Sequence, residues 1–409
     1  MTTPLPWPQA RERAYTAPTP PVARVLPLMQ TPGTVLAEPL YATAELPPAT
    51  ISAMDGWAVC GTGPWRIVGR VLAGATGRGI QPGQAVEIAT GAWLPEGARA
   101  VLRREHGRVR AEDTTPPTAA GCSGAPVALL DGTVADGTDL RRAGEECASG
   151  ALLADAGSVL RPALLSLAAA TGHDALRVIP RPQVQILVLG DELLDTGLPH
   201  DGRVRDALGP ALPSWLTWAG AEVIGVQRVG DDAATLARAI TGSGTELVVT
   251  TGATAAGPAD HLHSVLGQLH AELVVDGVAV RPGHPMLAAS MPGDSADGPR
   301  RWLVGLPGNP YAAVAGLVTL AVPLIARMSG RGLPASGRIR LDAAERGAGG
   351  DHRLVPVAPV GRGGGGGAWH ALPFRGAGML RGLAQASALA VIPPGGAPAG
   401  VELDRLDLP

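Results

Sequence analysis

Between Val184 and Pro310 the apolar and polar positions fall into two rhythms that take turns. Val184–Leu189 is an unbroken apolar run, Glu222–Val226 and Glu246–Thr250 are shorter β-rich runs, and Trp302–Gly305 is another. Each predicts a strand. Between them, Pro210–Gly220, Asp232–Ile240, Ala259–Leu269 and Tyr311–Met328 carry helical spacing, the second opened by an Asp cap, while Ala271–Val280 reads as a strand or hairpin. Strand and helix in turn predict an α/β domain with a mostly parallel sheet covered on both faces.

The flanking regions follow other rhythms. From Tyr41 to about Arg142, short apolar runs such as Trp57–Val59, Trp65–Val71, Ala85–Ile88, Ala100–Leu102 and Val127–Leu130 are broken by Gly, Pro and Thr. That spacing predicts a small β domain. Ser158–Ala175 is helical in rhythm, residues 1–42 read as a short helical or linking region, and after Gly330 the Gly-rich chain predicts a small β barrel or sandwich. Gly363–Gly367 reads as a flexible hairpin loop.

Composition narrows the function classes. A chain of 409 residues predicts several domains, and a net charge of -3 gives no electrostatic footprint for nucleic acid. The chain contains no Lys, so all 33 basic residues are Arg, and any fixed cation meeting a phosphate is a guanidinium. Cys60, Cys122 and Cys147 lie far apart, which signals neither a zinc site nor a disulfide framework and suits the cytoplasm. The Pro-rich, charged N-terminus does not read as a secretory signal. Tyr311–Ala326 is shorter than the ~20 residues of a membrane span and predicts a buried helix.

Ligands of open parallel sheets bind outside the carboxyl ends of the strands. Three loops, 190–197, 251–257 and 306–310, follow predicted strands and must share that edge, which predicts a crevice for a phosphate-bearing ligand. Gly252 and Gly257 would let backbone N–H groups approach an anion, and Asn309 is the predicted cap of a long helix whose free N–H groups would face the same crevice. Asp191, Glu192, Asp231, Asp232 and Asp260 lie at this edge, and carboxylates beside a phosphate imply a divalent cation. Any one of them taken singly reads better as a helix cap or a solvated group. His261 and His263 sit two apart, about 200° around a helix, so a shared metal is not expected.

Seven segments occur in an order that resembles the molybdopterin molybdotransferases, the family of bacterial MoeA and the E domain of gephyrin. They are S-A-M-D-G-W-A (52–58), E-I-A-T-G-A-W-L-P-E-G-A (87–98), L-R-R-A-G-E-E (140–146), G-D-E-L (190–193), T-T-G-x-x-x-x-G-x-x-D (250–260), R-P-G-H-P (281–285) and L-P-G-N-P (306–310). The resemblance implies four domains: a helical one split between 1–42 and 143–178, an inserted β domain at 43–142, a molybdopterin-binding α/β domain at 179–329 and a β barrel at 330–409. It also implies a homodimer and a reaction, in which adenylylated molybdopterin and molybdate are bound, the pyrophosphate bond is hydrolysed with Mg²⁺, and Mo enters the dithiolene as AMP leaves. Asp55, Thr90, Glu192 and Asp260 take the catalytic positions, Asp55 and Thr90 reaching the crevice from the partner subunit, with Glu192 and Asp260 as metal ligands. Gly190, Asp191, Gly252, Gly257, Arg281, Gly283, His284, Pro307, Gly308 and Asn309 take the substrate-binding positions.

The chain departs from the family pattern at several of these motifs. Ala253, Ala255 and Pro258 replace a Gly, a Ser and an acidic residue of the second loop, and Ala207-Leu208 replaces Ser-Asn after Asp206. His284, Ala312 and Ala377 stand where the family has a Lys and two Ser. These losses leave a second expectation open, that of a dimeric scaffold or regulatory binding protein.

Overall fold

The computed structural model describes residues 3–112, 127–254, 261–293, 299–361 and 368–409. The Gly363–Gly367 run and Cys122 lie outside them. The chain forms two compact units, one of Met1–Val25, Gly33–Ala37 and Arg177–Pro409, the other of Leu26–Pro32 and Glu38–Leu176.

At the centre of the first unit is a six-stranded sheet in the order Glu222–Val229, Gln183–Leu189, Leu247–Thr251, Arg301–Leu306, Leu287–Met291, Glu272–Asp276. The first four strands pair in parallel, and Leu287–Met291 runs against both of its neighbours, Arg301–Leu306 and Glu272–Asp276. Val184, Ile186 and Val188 pack on one face with helix Leu212–Ala219 and the helix from Pro310 to Met328 that follows Arg301–Leu306. Leu187 and Leu189 pack on the other with helices Ala233–Gly242 and Leu262–Gln268. With both faces covered, the central strands have no solvated side, so they read as continuous apolar runs. The span Ala271–Val280 resolves into two strands of different sheets, and Leu287–Met291, which its sequence did not announce, pairs with Arg301–Leu306.

The helix from Pro310 to Met328 is long and apolar enough to cross a membrane, and it is buried inside this unit. Its middle turn, Leu317–Ala321, is a π-helix in which the Val322 N–H reaches the Leu317 carbonyl. Pro323 accounts for the widening, because a helical Pro cannot donate to the residue four before it and its ring crowds that carbonyl. The N-terminal helix Trp7–Thr16 closes over this turn: Trp7 Nε1 donates to Thr319 Oγ1 at 3.0 Å, and the buried Arg11 guanidinium donates to the Val318 carbonyl. Burial lowers the Arg11 pKa to about 10, which still leaves it charged at neutral pH. Residues 1–25 therefore belong with this unit, whereas 143–176 lie in the other.

The C-terminal strands Gly337–Arg340, His352–Pro359, Trp369–Ala371, Ala388–Ile392 and Glu402–Asp407 form a second sheet that also takes in Leu5–Pro6 and Val278–Arg281. Leu341, just past strand Gly337–Arg340, forms an isolated bridge with Trp369. Side chains alternate with period two: Ala388, Ala390 and Ile392 fill a local core with Val355 and Leu403, while Leu389 and Val391 join the main core.

The second unit holds a six-stranded sheet in the order Arg108–Glu112, Val127–Asp131, Trp65–Val71, Gln84–Ile88, Gly56–Val59, Ala100–Arg103, parallel only between the third and fourth. Strand Gly56–Val59 is hydrogen-bonded on both sides, and a Cβ at Gly56 would lie 2.0 Å from the Leu102 carbonyl oxygen. The helix read over Ser158–Ala175 is confined to Pro162–Ala170, with a Pro in its first turn.

Candidate functional site

All three loops do share one edge. Leu189–Gly190, Thr251–Ala253 and Gly308–Pro310 line a single cavity of about 650 Å³, together with Glu192, Leu193, Val204–Leu208, Asp231 and Gly378. Strand Gln183–Leu189 is followed in the chain by its neighbour on one side, Glu222–Val229, and then by its neighbour on the other, Leu247–Thr251, so the cavity opens where the winding reverses. The Gly252 N–H donates to the Leu306 carbonyl at 2.8 Å, which fixes the second loop against the third. Ala253 adopts φ 54°, a left-handed backbone that disfavours any residue with a Cβ, so the site keeps the shape of a glycine loop without the glycine.

The loop after Gln183–Leu189 is held from three directions. Leu193–Leu194 pairs with Val204–Arg205 in a short parallel ribbon, the Asp191 N–H donates to Asp231 Oδ2 at 3.2 Å, and Arg228 donates to the Leu193 carbonyl at 2.7 Å and to Asp195. Asp191 is thus a loop anchor and is not among the cavity's lining residues. Glu192 is exposed, and its carboxylate folds back so closely that a Cβ at Gly190 would lie 2.6 Å from Oε2. Among the described residues, no hydrogen bond or ion pair engages that carboxylate. Asp206 differs: its Oδ1 accepts from the Leu208 and Gly209 N–H groups at 2.9 and 3.0 Å, closing the turn that leads into helix Leu212–Ala219. Asp232 also has a structural task as the cap of Ala233–Gly242, accepting from the Thr235 N–H at 2.7 Å.

Asn309 occupies the predicted cap position, but its side chain makes no capping hydrogen bond. The expectation of free helix N–H groups facing the crevice fails. Pro310 has no N–H, and those of Tyr311 and Ala312 both donate to the Ala377 carbonyl, at 2.9 and 3.1 Å. Pro307 is buried beneath the loop, whereas Gly308 and Asn309 are exposed at its surface.

Asp55 and Thr90, 35 residues apart, are brought together in the second unit. The Thr90 N–H and Oγ1–H both donate to Asp55 Oδ1, at 2.7 and 2.9 Å. The backbone bond first, and the hydroxyl second, hold the Asp55 carboxyl below its usual range. Because this pKa is depressed on folding, the pair's contribution to stability is present above the unfolded-state value and is lost as pH falls through the folded-state value. Thr90→Val removes one of the two donors, and the Asp55 titration followed by carboxyl NMR is expected to move up toward the ordinary range; an unmoved titration would contradict the assignment.

Arg281 and His284 do not line the cavity. Arg281 Nε donates to Asp351 at 2.8 Å, and His284 Nδ1 lies 3.0 Å from the Val278 carbonyl. Gly283, at φ 105°, packs against the Pro310–Gly316 helix, where a Cβ would meet the Ala312 carbonyl at 3.0 Å. Gly257 and Asp260 lie outside the described residues. Among the described residues, no group of three or more His, Cys, Asp or Glu could hold a metal ion, and His263 Nε2 instead lies 2.8 Å from Asp276.

Residues 5–172 match the family model of the MoeA N-terminal region (domain I and II), and residues 185–327 that of a probable molybdopterin binding domain. The chain is 31% identical over 322 residues to a molybdopterin molybdenumtransferase of Synechococcus elongatus, covering 73% of this chain and 74% of the relative. The chain belongs to the MoeA family. A Staphylococcus aureus molybdopterin molybdenumtransferase is 27% identical over 311 residues, covering 72% of this chain and 69% of the relative. The molybdopterin biosynthesis moea protein from Pyrococcus horikosii superposes with a TM-score of 0.67 at 25% identity, covering 99% of both chains. As a MoeA-family member, the chain is a transferase of molybdenum cofactor biosynthesis.

Proposed function

We propose that the cavity takes adenylylated molybdopterin and molybdate, that water cleaves the pyrophosphate bond, and that Mo enters the dithiolene as AMP leaves. The convergence of three strand-end loops on one cavity, beside a Glu192 carboxylate that makes no hydrogen bond or ion pair among the described residues, carries this reading. Mg²⁺ is commonly held by one or two carboxylates plus substrate phosphates, so a full protein cage is not required, and a free carboxylate oxygen at the cavity is a suitable hard donor. Glu192 would hold the ion, with Asp260 as its partner. When bound, it would offset charge on the pyrophosphate oxygens.

The chain's own groups divide the remaining work. Gly252 and Gly308 keep the wall low enough for a ligand to approach the backbone, and the Asn309 amide, freed from capping, can donate to a ligand oxygen. Asp55, oriented by the two Thr90 hydrogen bonds, is a further carboxylate of the reaction, and the homodimer that would bring it from a partner subunit belongs to the same proposal. Incubation of the purified protein with adenylylated molybdopterin, Mg²⁺ and molybdate is expected to release AMP; no AMP and no ligand binding would overturn the proposal.

A further inference from the structure

The cavity's charge is one-sided. Among the described residues that line it, Glu192, Asp206 and Asp231 are anionic and Arg205 is the one cation. Arg281 and His284, the cations favoured by sequence motif, do not line it. A ligand carrying phosphate must find its positive partner elsewhere in this wall.

Arg205 is placed for that task. Its backbone is fixed by the parallel pairing of Arg205 with Leu194, and the next residue is pinned twice, by the Asp206 N–H to the Leu194 carbonyl at 3.1 Å and by the turn that Asp206 closes. Its side chain is exposed and makes one long contact, Nη1 to the Leu194 carbonyl at 3.4 Å. The other N–H groups of the guanidinium are unengaged among the described residues. A guanidinium is a planar fork that meets a phosphate through two parallel hydrogen bonds, and a fixed backbone lowers the ordering cost of forming them.

We propose that Arg205 anchors a phosphate group of the bound ligand and sets the cavity's preference for phosphorylated over unphosphorylated molecules. This rests on the ligand assignment under Proposed function and names the residue that enforces it. The two ligand-facing groups are then complementary: Arg205 meets phosphate oxygens directly, and Glu192 meets them through a divalent cation.

The test is calorimetric titration of wild type, Arg205→Gln, Arg205→Lys and Arg203→Gln with AMP and with adenosine, each in Mg²⁺ at two salt concentrations. Losing a charge-assisted phosphate contact is expected to weaken AMP binding about 10–100-fold in Arg205→Gln, with Arg205→Lys intermediate. Arg203→Gln, one of the exposed residues outside the lining, should match wild type, and adenosine should bind all four proteins equally. The salt dependence of AMP binding should be shallower in Arg205→Gln than in wild type. Equal AMP affinity in wild type and Arg205→Gln would overturn the role of Arg205 while leaving the cavity's assignment standing. Failure of wild type to bind AMP or adenylylated molybdopterin would overturn both.

Discussion

Glu192→Gln is expected to lower AMP release by roughly 10²–10³-fold while the protein unfolds at its usual temperature. The substitution keeps the shape of the side chain and removes only its charge. Because the residue is exposed and no protein group engages its carboxylate among those described, stability should change by no more than about 0.5 kcal/mol. Both consequences follow from a carboxylate held at a cavity wall without a structural partner. Asp206 provides the contrast: its Oδ1 closes the turn before helix Leu212–Ala219, so Asp206→Ala, which removes that acceptor, should disturb the turn as well as any chemistry. Measured AMP release and a thermal melt of Glu192→Gln decide the matter, and wild-type turnover in that variant would remove Glu192 from the reaction.

Gly56→Ala should destabilise the second unit by about 3 kcal/mol or more, lowering its melting temperature by roughly 10 °C. The added Cβ would lie 2.0 Å from the Leu102 carbonyl oxygen, 2.9 Å from its carbon and 3.0 Å from the Arg103 Cα. All three are backbone atoms of the strand paired with Gly56's own, so no rotamer change can relieve the clash. Gly69→Ala is the matched control, since a Cβ there meets nothing within 4 Å. Circular dichroism melts of both variants test this, and a Gly56→Ala protein melting with wild type would refute the packing argument. Because Gly56 follows Asp55 directly, the same glycine fixes where that carboxylate leaves the sheet.

What the sequence made legible is what is encoded locally. Buried strands announce themselves when both faces are apolar, as Val184–Leu189 did, and Asp232 was readable as a cap because its partner is three residues away. Their convergence on one edge followed from the rule for open sheets and needed no side-chain detail. Leu287–Met291 escaped because Leu-Ala-Ala-Ser-Met lacks the β-branched residues that mark a strand, and only its neighbours make it one. The N-terminal segment read only as helical or linking, and the bounds Trp7–Thr16 were not legible because one of the helix's buried residues is Arg11, whose place is set by a carbonyl 307 residues away. Arg205 was hidden for a simpler reason. Arg281 and His284 stand in a recognisable motif, whereas Arg205 stands in none, and only the folding of residues 204–208 into the cavity wall sets it apart from the other Arg residues.

The start of the Pro310–Met328 helix shows how a protein can place a requirement where letter-by-letter comparison does not see it. Its first two N–H donors are satisfied by the main chain at Ala377, so any residue that keeps the local backbone can stand there, and the missing hydroxyl costs the helix nothing. Spacing is another matter. Deleting one residue between Arg375 and Met379 would draw that carbonyl away by up to ~3.8 Å, longer than the hydrogen bonds it makes. In this corner of the molecule the inherited information is a length, and position 377 can drift in identity while the count of residues around it stays fixed.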